Sequence, residues 1–123
     1  MAGGIRVLVV DDSVRTRQSL LALFTTCTQV EETRTAADAG TAISIVEQWL
    51  PDTILMDVQM PGMDGIAATK IIKGRWPQVR VVAHSVAAET APAALAAGAD
   101  AFIGKGELAE CLIEAILAST KKS

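Results

Sequence analysis

Aromatic residues are scarce in this sequence of 123 residues, which contains no tyrosine, two phenylalanines and two tryptophans. Hydrophobic residues nevertheless make up 50% of the chain and charged residues 20%, a composition that is too apolar for a disordered protein. The core must therefore be built mainly from aliphatic side chains. A chain of this length accommodates one domain, which excludes a two-domain enzyme.

Long hydrophobic segments and basic clusters are also absent. The first apolar run, residues 5–10, is too short for a signal-peptide core and leads directly into two aspartates. No run approaches the ~18 apolar residues of a membrane span. The net charge is −3 and the longest basic run is Lys121-Lys122, so the chain lacks the positive field that phosphate-backbone binding requires. We expect a cytoplasmic protein with no membrane contact and no direct nucleic-acid binding by this segment.

Cysteine and tryptophan each occur twice. Cys27 and Cys111 are far apart and lack the spacing of a metal site, so we expect two buried, reduced thiols. Trp49 and Trp76 lie at the ends of predicted helices, where packing is a more common role than stacking on a ligand.

Short apolar runs alternate with segments of helical periodicity. Four near-continuous runs, typical of strands that are covered on both faces, occupy residues 5–10, 53–56, 79–83 and 101–103. A more polar run at 30–34 fits an edge strand. Helical spacing of apolar residues links Leu20, Leu23, Phe24 and Cys27; Ala39, Ala42, Ile43 and Val46; Met63, Ile66, Ala67 and Ile71; and Leu108, Cys111, Leu112, Ala115 and Ile116. A shorter, alanine-rich helix is predicted over residues 90–97.

This alternation predicts a doubly wound α/β domain. Right-handed crossovers between successive strands give a five-stranded parallel sheet with helices on both faces. Proline and glycine residues fall between the predicted elements, as expected for chain breakers. Because the sequence shows no repeat and no change in composition, we predict a single domain over residues 1–123, with a core from about 5 to 118 and a tail at 119–123.

Polar residues follow the predicted strands at their carboxyl ends, where ligands bind in open parallel sheets. Asp11-Asp12 follow the first strand, Asp57 the third and Ser85 the fourth, and Lys105 comes just after the fifth. Each also has a structural interpretation, as a helix cap, a turn residue or a solvated side chain. Asp57, however, directly follows a buried run, where an ionised carboxylate needs a partner. Three carboxylates that lie together require a cation, and this set suits Mg²⁺.

These residues lie in segments that resemble the receiver domain of two-component response regulators, over essentially the whole chain. The matching segments are Asp11-Asp12, LMDVQMPGMDG at residues 55–65, Ser85, and GADAFIGK at residues 98–105. The resemblance implies a flavodoxin-like sheet with the strand order 2-1-3-4-5, in which the first strand lies beside the third. It also implies a phosphorylation-controlled switch that is driven by a histidine kinase or a phosphotransfer protein and acts on a downstream protein. Such a domain is regulatory, although it catalyses its own phosphotransfer and slow dephosphorylation.

The resemblance also assigns roles in phosphotransfer. Asp57 is implied to be the phosphoacceptor nucleophile, and Lys105 is implied to pair with a phosphoryl oxygen. Mg²⁺ is implied to be held by Asp12, Asp57 and the backbone carbonyl of Gln59, and through water by Asp11. Catalysis of this kind depends on positioning and charge stabilisation, so a small domain is sufficient for it.

Two further residues are implied to form the switch: Ser85 hydrogen-bonds the acyl phosphate, and Phe102 turns into the space that Ser85 vacates. The chain departs from the family pattern in three respects. Gly106 stands where proline usually follows the lysine, position 102 carries phenylalanine where tyrosine is commoner, and the segment from 85 to 105 is a residue or two short, which predicts a shortened or displaced fourth helix. His84 ends a strand, whereas phosphotransfer histidines lie on helices, so we expect a structural or surface role.

Three alternatives remain open. A haloacid-dehalogenase-like phosphatase also uses an aspartate and Mg²⁺, but it requires an Asp-x-Asp motif and a longer chain. A flavodoxin would surround its flavin phosphate with hydroxyl groups, where this chain has Asp11-Asp12. The chain can also be the amino-terminal receiver of a longer DNA-binding regulator. For any receiver, the uncharged segment 91–97 predicts a face that phosphorylation exposes or reshapes for a partner protein, with weak or phosphorylation-dependent self-association.

Overall fold

A computed structural model of the chain describes residues 4–118. The strands are β1 Ile5–Val10, β2 Val30–Ala36, β3 Thr53–Asp57, β4 Arg80–Ser85 and β5 Ala101–Gly104. The helices are α1 Val14–Thr25, α2 Ala39–Trp49, α3 Gly65–Arg75, α4 Ala91–Ala96 and α5 Ala109–Leu117. The predicted tail at 119–123 lies outside the described residues. None of the described helices is long and apolar enough to cross a bilayer.

The five strands form one parallel sheet in the order β2-β1-β3-β4-β5, which confirms the predicted fold and strand order. The winding direction reverses between β1 and β3, since the chain turns to β2 on one side and to β4 on the other. β3 lies at the centre and all five of its residues are buried. The carboxyl ends of β1 and β3 are therefore neighbours at the switch point of the sheet.

Helices cover both faces of the sheet and enclose two apolar cores. On one face, β1, β3 and β4 contribute Leu8, Ile54 and Val81 to a core that includes residues of α2, α3 and α4. On the other face, Val9, Leu55 and Val82 pack in a core with residues of α1 and α5. The two largest buried side chains of that second helix pair are Phe24 and Ile116. Aliphatic residues dominate both cores, as the composition predicts.

The predicted core face of α3 is wrong except at Ile66, which is half-buried against the core. The prediction consisted of Met63, Ile66, Ala67 and Ile71. The buried residues of the helix are instead Gly65, Ala68, Thr69 and Ile72. The helix begins only at Gly65, after its N-cap Asp64, so Met63 lies in the preceding turn and is 43% exposed. Small residues form the true face, and their weak hydrophobic contrast hid it from periodicity.

Several element ends also differ from the predictions. β2 and β4 each extend two residues further than predicted, to Ala36 and Ser85, and β4 begins at Arg80. The fourth helix is short, as predicted, but a 3₁₀ turn, Ala88–Thr90, accounts for its start. Leu108, predicted on the buried stripe of α5, precedes that helix and is 67% exposed. Both cysteines are free, as predicted, but they are half-buried rather than enclosed.

Candidate functional site

Three carboxylates converge at the switch point of the sheet. Asp11 and Asp12 follow β1, and Asp57 is the last residue of β3. One oxygen from each carboxylate lies within 4.8 Å of the other two. Asp11 and Asp57 are buried, whereas Asp12 is exposed. The cluster follows directly from the pairing of β1 with β3, which brings the ends of these strands together.

Lys105 reaches this cluster from the loop between β5 and α5. Its Nζ lies 3.0 Å from Oδ2 of Asp11 and 3.3 Å from Oδ1 of Asp57. Its backbone N–H donates to the carbonyl of Ser85 at 2.9 Å, which ties the loop to the end of β4. Among the described residues, Lys105 is the cation that pairs with these carboxylates.

The site carries more negative than positive charge. Burial raises the pKa of Asp57 above its ordinary value and the charge of Asp11 raises it further, while Lys105 opposes both. Burial acts to lower the pKa of Lys105, but hydrogen bonds and charge interactions with Asp11 and Asp57 outweigh burial and raise it. One ammonium group thus pairs with two carboxylates of a cluster of three, and the excess of negative charge favours the binding of a further cation.

The backbone around Asp57 is tightly held. The N–H of Gln59 donates to Oδ1 of Asp57 at 3.2 Å, and the N–H of Val58 donates to the carbonyl of His84 at 3.1 Å. At Gly65, a Cβ atom would lie 2.0 Å from the carbonyl oxygen of Asp57. Only glycine allows α3 to begin this close to the end of β3. The backbone carbonyl of Gln59, which is predicted to be a Mg²⁺ ligand, therefore belongs to a short loop that is fixed at both ends.

Ser85 and Phe102, predicted to form the switch, lie on the neighbouring strands. Ser85 ends β4, is buried, and accepts a hydrogen bond at Oγ from the N–H of Ala87 at 3.0 Å. Phe102 lies on β5 opposite Ala83 and is half-buried against the core that α4 helps to cover. Ser85 thus lies at the end of β4, the strand next to β3, and Phe102 lies on β5, one strand further from Asp57.

His84 is a buried strand residue rather than a surface residue. It pairs with Asp57 across β3 and β4 and lines a groove of about 380 Å³ between α1 and the start of α5. Burial lowers its pKa to about 4; the charge of Lys105 lowers it as well, and Asp11 opposes the shift. His84 is therefore uncharged at neutral pH.

One contact at the site was not predicted from the sequence. Nη1 of Arg17, in the second turn of α1, donates to the backbone carbonyl of Asp11 at 2.8 Å. The sequence signal is the spacing of six residues between an acidic residue at a strand end and an arginine on the next helix. Arginines near helix starts are commonly solvated, so this spacing alone does not identify the contact.

The donor set fits a small divalent cation with a preference for oxygen. The three carboxylates offer oxygen ligands, and three ligands fill only part of the six-coordinate shell that Mg²⁺ prefers, so further oxygen ligands such as water complete it. The excess of negative charge favours a cation that is bound in addition to Lys105. Asp12, which is exposed and lies at the edge of the cluster, leaves the site open to solvent.

The fold and the site together define a class: an open, flavodoxin-like α/β domain with a carboxylate cluster and a lysine at its switch point. Within this class, the chain belongs to the family of response regulator receiver domains, whose sequence pattern matches residues 7–117. Receiver domains are regulatory phosphoacceptor domains that bind Mg²⁺ at an acidic pocket and interact with histidine kinases and effector domains. Membership in this family removes the phosphatase and flavodoxin alternatives.

The similar proteins include regulators with different outputs. The chain is 33% identical to the response regulator domain of Thermotoga maritima CheB, with a TM-score of 0.87 and 98% of each chain covered. It is 38% identical to a protein-glutamate methylesterase/protein-glutamine glutaminase of Oleidesulfovibrio alaskensis, with 79% of this chain and 27% of the relative covered. It is 30% identical to the transcriptional regulatory protein DegU of Brevibacillus brevis, with 91% and 48% covered. The chain thus spans less than half the length of these two curated relatives.

Proposed function

We propose that Asp57 accepts the phosphoryl group of this switch from a phosphohistidine of a histidine kinase or a phosphotransfer protein. An Oδ atom of Asp57 forms the new bond to phosphorus, and the P–N bond of the donor breaks. The electron pair of that bond stays on the imidazole nitrogen, which takes up a proton. The observation that carries this proposal is the burial of the Asp57 carboxylate at the end of the central strand, with the Lys105 ammonium 3.3 Å from its Oδ1.

The two oxygens of Asp57 are suited to different tasks. Oδ1 is engaged by Lys105 and by the N–H of Gln59. Oδ2 accepts no hydrogen bond from any other described residue, so its lone pairs are available for attack on phosphorus. Because the loop after β3 is held by backbone contacts, the carboxylate is oriented before the donor arrives, as catalysis by positioning requires.

The acidic residues hold Mg²⁺ in this proposal. Asp12, Asp57 and the backbone carbonyl of Gln59 are direct ligands, and Asp11 acts through water. When bound, the ion neutralises the phosphoryl oxygens during transfer. Asp11 is already held by the N–H of Ser13 at 2.9 Å and by Lys105, so it can orient a water molecule without moving.

Lys105 pairs with a phosphoryl oxygen once Asp57 is phosphorylated. Its ammonium group already lies beside Asp57, and the contact of its backbone with Ser85 keeps it there. A charge-assisted hydrogen bond to a dianionic group is stronger than one to a carboxylate shared with a second acid. In this proposal the same residues allow the domain to catalyse its own phosphorylation and slow dephosphorylation, as a regulatory domain.

Ser85 and Phe102 relay the modification. The Ser85 hydroxyl exchanges its contact with the N–H of Ala87 for one with the phosphoryl group, and Phe102 moves into the space that becomes available. Ser85→Ala should therefore be phosphorylated at Asp57 like the wild type, yet lose the phosphorylation-dependent shifts of amide resonances around Phe102. If Ser85→Ala shows the full set of shifts, the relay is wrong.

The test of the phosphoacceptor is intact-mass measurement after incubation with acetyl phosphate and Mg²⁺. The wild type should gain one phosphoryl group, and Asp57→Asn should gain none while it keeps the circular dichroism spectrum of the wild type. Asp52→Asn is the matched control, since Asp52 is exposed and immediately precedes β3, at the opposite end of the sheet. Labelling of Asp57→Asn to the wild-type level contradicts the assignment.

A second candidate function is that of the receiver in a longer DNA-binding regulator. The match to a transcriptional regulator, of which the chain spans 48%, favours it. Sequencing of the natural coding region beyond residue 123 tests this candidate. An in-frame DNA-binding domain supports it, and a stop codon leaves a receiver that acts on a separate partner protein.

A further inference from the structure

The carboxylate of Asp11 is held by hydrogen bonds from described residues, whereas that of Asp12 is not. The carboxylate of Asp11 accepts from the N–H of Ser13 at Oδ1 and from Lys105 at Oδ2. Asp12 is exposed, and its carboxylate accepts no hydrogen bond from any other described residue. The position of the Asp12 carboxylate therefore depends on the backbone that carries it.

Two contacts fix that backbone. The N–H of Asp11 donates to the carbonyl of Ala36 at 3.1 Å, which continues the pairing of β1 with β2. The carbonyl of Asp11 accepts from Nη1 of Arg17 at 2.8 Å. This carbonyl belongs to the peptide that joins Asp11 to Asp12, so Arg17 holds the peptide plane from which Asp12 projects.

We propose that Arg17 is a positioning residue for the cation site, through its hydrogen bond to the Asp11 carbonyl. The guanidinium group bonds a neutral carbonyl and lies outside salt-bridge distance of the described carboxylates, so it orders the loop without consuming an acidic ligand. Arg17 is half-buried and its own helix is anchored by the cap at Ser13, which makes the contact rigid. The proposal rests on the proposed metal site at Asp11, Asp12 and Asp57.

The sign of the effect separates positioning from simple electrostatics. Removing a positive charge near an acidic cluster should strengthen the binding of a cation. Removing a group that positions a ligand should weaken it, commonly by about tenfold when the group lies one shell beyond the metal ligands. A loss of affinity in a variant without Arg17 therefore cannot come from the change in charge.

The experiment measures Mg²⁺ binding by calorimetry and Mn²⁺ binding by electron paramagnetic resonance, without a phosphodonor. Arg17→Ala and Arg17→Gln should each bind about tenfold more weakly than the wild type. Arg17→Lys, which keeps a charged donor, should recover part of the loss. Arg15→Ala is the matched control, because Arg15 is an exposed arginine on the same helix and should change the affinity only slightly, toward tighter binding.

Labelling by acetyl phosphate at increasing Mg²⁺ provides a second readout. The Mg²⁺ concentration for half-maximal rate should rise in Arg17→Ala, whereas the rate at saturating Mg²⁺ should stay near that of the wild type. If Arg17→Ala does not fold, Arg17→Gln, which keeps a polar side chain, carries both measurements.

The outcomes distinguish the proposals. Wild-type affinity in Arg17→Ala or, if that variant does not fold, in Arg17→Gln overturns the role of Arg17 and leaves the metal site intact. A wild-type protein that binds neither ion overturns the metal site itself. A wild-type protein that binds Mg²⁺ but is not labelled overturns the phosphoacceptor assignment alone.

Discussion

Two lysine–aspartate pairs lie at opposite ends of the sheet with almost the same geometry. At the amino-terminal end, Nζ of Lys73 lies 2.9 Å from Oδ2 of Asp100. At the carboxyl-terminal end, Nζ of Lys105 lies 3.0 Å from Oδ2 of Asp11. The distances do not distinguish the pairs, so any difference in role must come from their surroundings.

In the pair at the amino-terminal end, every N–H group of the lysine ammonium has an acceptor. Nζ of Lys73 also donates to the carbonyls of Pro77 and Val79, so three acceptors use its three N–H groups. The Oδ2 atom of Asp100 also accepts from the N–H of Val81 at 2.8 Å. One positive charge meets one negative charge, and the pair joins α3 to the starts of β4 and β5.

The pair at the carboxyl-terminal end is unbalanced. Lys105 faces Asp11 and Asp57, and Asp12 adds a third carboxylate to the cluster. Burial is the main cause of the raised pKa of Asp57, and the negative charge of Asp11 raises that pKa further. An ion pair whose charges and donors are matched stabilises the fold, whereas an unmatched cluster of buried charges is poised to bind a further ion or group.

The largest expected effect is the loss of phosphorylation when Mg²⁺ is removed from the unbalanced, carboxyl-terminal end of the sheet. Chelation of Mg²⁺ should slow phosphorylation by acetyl phosphate by about 100-fold or more, because the carboxylates otherwise present only repulsion to an anionic donor. Asp12→Ala should weaken Mg²⁺ binding more than Asp11→Ala, since Asp11 acts through water. Asp100→Asn is the control from the balanced end and should leave Mg²⁺ affinity unchanged. Equal labelling rates with and without chelator would refute this prediction.

Substitution of Lys105 should slow phosphorylation, whereas substitution of Lys73 should lower the stability of the fold. Lys105→Met should slow labelling by about tenfold or more, because the phosphoryl group loses a charged partner. Lys73→Met should label normally but lower the free energy of unfolding by about 1–3 kcal/mol, because Asp100 and two carbonyls lose their donor. Labelling kinetics and denaturant unfolding of both variants provide the comparison. A labelling defect in Lys73→Met would remove the distinction between the two ends.

The sequence was sufficient to predict the unbalanced end and not the balanced one. Asp11, Asp57 and Lys105 each follow an apolar run, and parallel strands bring such ends together, so their convergence could be anticipated. Lys73 and Asp100 are 27 residues apart and follow no pattern of this kind. Their pairing depends on the exact path of the chain before β4 and β5, which periodicity does not encode.

A buried helix face made of small residues was the other feature that the sequence did not predict. Helical spacing predicts a stripe of Met63, Ile66, Ala67 and Ile71 on α3. In the structure, Ala68 and Thr69 are buried instead. Close approach of the helix to β3, which Gly65 permits, favours small side chains at these positions. Hydrophobicity alone does not report how near two elements pack.

A smaller effect concerns His84, whose uncharged form is favoured by the fold. Because its pKa falls from 6.5 to about 4 on folding, the unfolded chain takes up a proton first as the pH decreases, and stability should drop by up to about 3 kcal/mol between these values. The raised pKa of Asp57 acts in the opposite direction in acid. The measurement is therefore the difference between wild type and His84→Gln in metal-free denaturation at pH 7 and pH 4.5. If both proteins lose the same stability, His84 does not contribute.

The smallest expected effect is on self-association. α4 has six residues and therefore extends only about 9 Å, and its sequence contains no charged side chain. Its exposed apolar side chain, Leu95, is 47% exposed, and Phe102 is half-buried nearby on β5. A stable dimer needs about 800 Å² from each partner, which a helix of this length does not supply by itself, and α4 offers no charged side chain for ion pairs across such an interface. Light scattering of the beryllofluoride-treated protein at micromolar concentration should thus report a monomer, as should Leu95→Glu, the matched variant. A tight, beryllofluoride-dependent homodimer that Leu95→Glu disrupts would contradict this expectation and favour a receiver that dimerises to place two DNA-binding domains.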